Sequence, residues 1–203
     1  WAFAYVLPSW ERTQMAALVK RTLAAQAHHA RVALGLGQLQ AVDNAPELAW
    51  RLARREAYDS LSALVLATQR SLSEPRAVRP PLQPLEHLQA HSYQLLAQLT
   101  AVKTLLLLRR GRLQPEQVQA PLAQAGECIS AILSTPATAA TAKPATAGVS
   151  PAASTTESEP LPEWDARDLN VWLLRRLQLA TTMAGQLRGD ADAVLQALDK
   201  NQK

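Results

Sequence analysis

One run of residues limits what this chain can become. Leu85, Leu88, Ser92, Leu95, Leu99, Val102 and Leu106 step by alternate threes and fours. Residues spaced this way share one face of a helix, whereas on a strand they would be split between two faces. A seam that long and apolar has to be covered by other helices, so the spacing predicts a helical bundle or a short coiled coil. The segment is expected from about Pro84 to Arg110. Arg109 and Arg110 sit where the helix dipole favours cations, and Gly111 supplies a stop.

Four further segments carry weaker versions of the same period. The first is expected from Ser9 to about Leu39, with Ser9 as N-cap and Met15, Leu18, Thr22, Ala25, His29, Ala33 and Leu36 on one face. The second runs from about Pro46 to Ser73, capped by Asn44. Its expected face starts at Leu48 and Leu52 and resumes at Leu61, Leu64, Thr68 and Leu72. Glu47/Arg51 and Arg55/Asp59 have the i,i+4 spacing of helix-surface ion pairs. Prolines 75, 80, 81 and 84 then impose an extended connection. The fourth segment, about Pro115 to Leu133, presents Val118, Leu122, Ala125, Ile129 and Ile132, and Pro121 is expected to kink or detach its first turn. The fifth, about Glu163 to Leu187, presents Leu169, Leu173, Leu177, Ala180, Met183 and Leu187. Gly189 and Asp190 are expected to end it and cap a short last helix.

Between the fourth and fifth segments the composition changes. Ala, Thr, Ser and Pro supply 23 of the 29 residues from Ser134 to Pro162. This predicts a flexible linker, long enough for the last helix to return to the same bundle. The expected organisation is therefore residues 1–8 as a membrane exit, 9–133 as a helical bundle, 134–162 as linker and 163–203 as a C-terminal helix or helices packing back. The fold class is all-α, a mostly antiparallel bundle of four to five helices. A content of 48% hydrophobic but only 4% aromatic residues fits this, because the apolar share is chiefly Leu and Ala, both strong helix formers.

Net charge is +4, and no Lys/Arg run exceeds two, so the clustered basic stripe of a nucleic-acid binder is missing. The single cysteine, Cys128, excludes an intramolecular disulfide and, within "GECISAIL", is expected in the core. His28 and His29 are adjacent and point to different faces. His87 and His91 share a face, but no third metal ligand accompanies them. Neither Glu-x-x-His nor His-Glu-x-x-His occurs, and no glycine-rich phosphate loop or nucleophile triad is legible. A phosphotransfer role for His28 or His29 lacks the lysine-assisted surroundings such a site uses. No catalytic, cofactor-binding or metal site is expected, and no cofactor. The candidate contact residues are basic: Arg51, Arg54 and Arg55 in the second segment, and Arg109, Arg110 and Arg112 closing the third. If those segments pack antiparallel, both groups lie at one end of the bundle, available to anionic lipid headgroups or an acidic ligand.

Three stretches, "YVLPSWERTQM", "RLARREAYDSLSALVLATQRSLSEP" and "LEHLQAHSYQLLAQLTAVKTLL", resemble the C-terminal cytoplasmic part of fusaric-acid-resistance (FUSC)-type bacterial inner-membrane proteins. The matching residues are Pro8, Ser9, Trp10 and Glu11; Arg54, Arg55 and Ala57; and Glu74 with Pro75. The resemblance covers roughly residues 1–112. It implies two sets of membrane helices, each followed by a cytoplasmic helical domain, in proteins linked to efflux of aromatic or other organic acids. The opening "WAFAYVL" is then the stub of a membrane span. Trp1, Tyr5 and Trp10 suit the interface, and the excess of Arg12, Lys20, Arg21 and Arg31 over Glu11 suits the cytoplasmic side. The expected function is a non-enzymatic cytoplasmic domain serving assembly or regulation of the membrane part. Expected partners are that membrane part, a homo-oligomer and anionic lipid headgroups, with no nucleic acid. The alternative is a free-standing helical adaptor that binds a partner helix. From sequence, the seam of the third segment serves the core or a homodimer equally well.

Overall fold

The computed structural model describes residues 10–35, 45–75, 79–109, 113, 115–135 and 166–200. The described residues form an all-α bundle of five helices: α1 (Trp10–Ala33), α2 (Ala45–Ser71), α3 (Leu82–Leu108), α4 (Pro115–Ser134) and α5 (Ala166–Lys200). The expected caps Ser9 and Asn44, the stub at 1–8 and the linker from Pro136 on lie outside the described residues.

Side-chain pairs fix the directions of the helices. Glu47, at the start of α2, meets Lys103 near the end of α3, while Thr68 near the end of α2 accepts a hydrogen bond from Gln89 near the start of α3. These two helices are antiparallel. On α3 and α5, Gln98 meets Arg176 and His91 meets Asp190, again antiparallel. On α4 and α5, Asn170 meets Gln117 and Arg188 meets the Leu133 carbonyl, so this pair is parallel. On α1 and α2, the Thr22 hydroxyl reaches the Ser60 carbonyl and His29, two turns on, senses Arg54, so they form an antiparallel hairpin. α1 and α3 thus run one way and α2, α4 and α5 the other. The connection from Thr135 to Ala166 joins helix ends that lie roughly 30 Å apart, the length of α4.

Every residue of the α3 seam is buried: Leu85, Leu88, Ser92, Leu95, Leu99, Val102 and Leu106 are at most 1% exposed. The seam is occupied within the chain, chiefly by α5, whose stripe Leu169, Leu173, Leu177, Ala180, Ala184, Leu187, Ala191, Val194 and Leu198 is also buried. This stripe carries the helix through Gly189 and Asp190, where a break was expected. Continued burial of Ala191, Val194 and Leu198 outweighs the roughly 1 kcal/mol by which a helical glycine is inferior to alanine. Asp190 does not cap a new helix; its carboxylate bonds the His91 ring 2.5 Å away.

α2 shows a second correction. Its buried face is Trp50, Ala53, Ala57, Leu61, Leu64 and Ala67, while Leu48 and Leu52 are each 58% exposed and Leu72 is 49% exposed. Small residues face inward because α1 and α2 approach closely, with Ala25 of α1 and Ala57 packed against Leu61 and Leu96. Close approach recurs where α4 crosses α1: a Cβ on Gly126 would sit 3.4 Å from that of Leu34. Cys128 is exposed rather than buried. It lies about 80–120° around α4 from the Val118–Leu122–Ile129 stripe, so it faces away from that buried stripe. Pro121 stands inside one continuous α4, with no separate first turn.

The seam is the site most sensitive to truncation. Leu99→Ala should lower unfolding free energy by about 2–5 kcal/mol, whereas Leu48→Ala should change it by less than about 0.5 kcal/mol. Urea denaturation followed by circular dichroism distinguishes the two, and equal losses would mean that α2 is turned the other way.

Candidate functional site

The antiparallel pairing of α2 and α3 brings the start of one beside the end of the other, so Arg51, Arg54, Arg55 and Arg109 share one end of the bundle. Arg110 and Arg112 lie outside the described residues. The three α2 arginines are engaged in different ways. Arg51 Nε lies 3.3 Å from Glu47 Oε1, and Arg55 Nε lies 3.5 Å from Asp59 Oδ2. Both are exposed pairs one helical turn apart, each contributing a few tenths of a kcal/mol. Arg54 is half-buried, its guanidinium 5.4 Å from the Trp50 ring centroid and 5.5 Å from that of Tyr58. Positions 50, 54 and 58 are successive i,i+4 steps, so the cation is held between two aromatic rings on one face. Arg109 is exposed and closes α3 through its backbone N–H, 2.9 Å from the Leu105 carbonyl.

Beneath these arginines lies a cluster that sequence reasoning missed. Lys103 is only 2% exposed. Its ammonium sits 5.4 Å from the Trp50 centroid and 3.4 Å from Glu47 Oε2. Lys103 follows Val102 directly, at the edge of the seam, where a lysine would be expected to reach solvent. Its partners come from α2, more than fifty residues away, so no local pattern announces them.

The polar character continues inward along α1. Thr22, Gln26 and His29 are all fully buried. The Thr22 hydroxyl donates to the Leu18 carbonyl at 2.9 Å, whereas neither amide atom of Gln26 and neither ring nitrogen of His29 has a hydrogen-bond partner among the described residues. Burial lowers the His29 pKa to about 4, and the nearby charge of Arg54 acts in the same direction. The ring is thus neutral and inaccessible, which removes His29 as a phosphoryl acceptor; His28 is exposed. On α3, His91 is tied to Asp190 while His87 is exposed. Among the described residues no three His, Cys, Asp or Glu side chains come together as metal ligands.

A cleft of ≈590 Å³ opens on the far side of the molecule, between α1, the end of α4 and the second half of α5. Leu23, Leu133 and Leu195 form its apolar wall, with Lys20 and Asp199 at the rim. Its two inner charges, Arg188 and Asp192, form a mutual ion pair, and Arg188 also donates to the Leu133 carbonyl at 3.2 Å. The walls therefore offer little net charge with which to recruit an ionic ligand.

No helix of the described residues is long and apolar enough to cross a membrane. Comparison of the chain with protein-family models, curated proteins and solved structures finds no match.

Two expectations follow from the buried cluster. His29 binds its proton more weakly in the folded chain than in the unfolded one, so its contribution is complete above pH 6.5 and is lost as pH falls towards about 4. The loss should be on the order of 3 kcal/mol at the acid end, and His29→Leu should abolish that share of the pH dependence in urea titrations. Glu47→Ala removes the carboxylate 3.4 Å from the buried Lys103 ammonium, so it should destabilise more than the Glu47→Ala/Lys103→Met double variant does. Equal stabilities in thermal melts would show that Glu47 does not hold Lys103.

Proposed function

We propose that this chain is a non-enzymatic helical domain of a FUSC-type inner-membrane, transporter-like protein, placed on the cytoplasmic side and serving assembly or regulation of the membrane part. The observation that carries this reading is the work done by the residues on which the resemblance rests. Arg54 is stacked between Trp50 and Tyr58, and Ala57 is fully buried where α2 meets α1. The Glu74 carbonyl accepts from Arg79 Nε at 2.6 Å in the turn that leads into α3. The described ones among these residues are used in building the scaffold. The Leu-rich stretch of the resemblance is the α3 seam itself, spent on the core.

The geometry also ranks the contacts expected of the arginines. α1 begins at the end of the bundle where α2 and α5 finish, whereas Arg51, Arg54, Arg55 and Arg109 stand at the opposite end. In the proposed protein a membrane span precedes Trp10. With α1 upright, the arginines then project away from the lipid, and an acidic protein surface suits them better than headgroups of the same membrane.

Fractionation of cells producing the full-length gene product tests the reading. The protein should sediment with the inner membrane, and protease added to inside-out vesicles, but not to intact spheroplasts, should release this domain. A product that stays in the soluble fraction without any membrane span would instead support the free-standing adaptor.

A further inference from the structure

Two of the four histidines, His87 and His91, lie one turn apart in the first half of α3. Residues at i and i+4 share one helix face, with Cβ atoms about 5–6 Å apart. Neither belongs to the buried seam: His87 is exposed and His91 is half-buried.

The His91 ring is held in one orientation from across the helix pair. Its Nδ1 lies 2.5 Å from Asp190 Oδ2 of α5, and the two side chains are 26% and 19% exposed. A carboxylate can only accept, so Nδ1 carries the proton and donates. In the neutral ring the second nitrogen, Nε2, is then left with a free lone pair. Nε2 has no hydrogen-bond partner among the described residues, and it is not one of the polar atoms shut off from solvent. The surroundings are open on the α5 side as well. Gly185 and Gly189 are exposed, and a Cβ built on either meets nothing within 4 Å.

A carboxylate on one ring nitrogen with the other left free is how metal-binding histidines are held. The carboxylate fixes the tautomer, aims Nε2 and makes it a stronger donor. Two histidines at i,i+4 on one face are also the pair that helical metal sites use.

We infer that His87 and His91 bind a late first-row divalent cation, of the zinc, nickel and copper class, and that Asp190 is the positioning residue for His91. Imidazole nitrogen suits these ions, whereas magnesium and calcium take oxygen ligands. Among the described residues no third His, Cys, Asp or Glu joins the pair. The site is therefore not a closed structural one, and its remaining positions are open to water or to a ligand from outside the chain. The other two histidines cannot replace this pair, because His28 and His29 are adjacent and His29 is fully buried. The inference is independent of the membrane-family reading, because the chain alone tests it.

Calorimetric titration of the untagged 203-residue chain with Zn2+, and separately with Ni2+, should show one equivalent bound. His87→Ala and His91→Ala should each lose that binding, while His28→Ala keeps it. His87 is exposed, so its alanine variant should keep its helical content and its loss of binding reads coordination and not folding. Asp190→Ala should weaken binding about 10–100-fold. Asp190→Asn retains an acceptor for Nδ1–H and should recover much of that loss. A parent chain that binds neither ion overturns the inference. So does binding that survives either the His87→Ala or the His91→Ala change, or an Asp190→Ala variant that binds as tightly as the parent.

Discussion

The burial of the α3 seam against α5 is the contact on which the rest of the bundle depends. Seven α3 positions and nine α5 positions are almost wholly removed from water, and they join α1 and α4 in one continuous core. Each large aliphatic side chain buried in this way contributes about 1.5–3 kcal/mol relative to exposure. α5 spans 35 residues, longer than any of its neighbours, so it can contact α3 and α4 along its first part and α1 along its last. The direction of α5 follows from the same contact. Running antiparallel to α3 makes it parallel to α4, and the chain must therefore travel back between them.

α1 and α2 are held together by different means. Their shared face is built from alanines and short polar residues, and it admits Gln26 and His29 whose polar atoms lack partners among the described residues. Unpaired buried groups of this kind oppose folding by about 1–3 kcal/mol each. The hairpin is therefore the part of the molecule whose stability is coupled to pH through His29. Lys103, Glu47, Trp50 and Arg54 lie at one end of the same junction and add charge and aromatic contact between α2 and α3 to the packing of Leu61 with Leu96.

Legibility in the sequence tracked the size of the residues that repeat. The α3 seam could be read residue by residue because leucines at alternating three and four spacing have one physical explanation. Both α2 ion pairs were legible for the same reason, since i,i+4 spacing is local. Leu61, Leu64 and Thr68 were read correctly as the inward face of α2, but its first turns were misread because Leu48 and Leu52 outweigh Ala53 and Ala57 in apolarity, yet a close helix crossing selects the smaller side chains. Cys128 was misread because neighbours along the chain are not neighbours on a helix. The break at Gly189 was misread because glycine is weighed locally, while the burial of Val194 and Leu198 that overrides it is tertiary. Of the arginine group, the shared end was foreseeable from an antiparallel α2 and α3, but the sandwiching of Arg54 and the buried Lys103 beneath it were not.

The sequence by itself determined that this chain is helical, where its strongest seam lies and which ion pairs line the helix surfaces. Those properties rest on interactions within four residues along the chain. Only the tertiary structure decided that the seam is core, that α5 runs parallel to α4, that His29 is neutral and enclosed, and that the glycines of α5 face outward. Each of those depends on which helix covers which face. That choice is made by the burial of side chains far apart in the chain, and the local period of the sequence does not encode it.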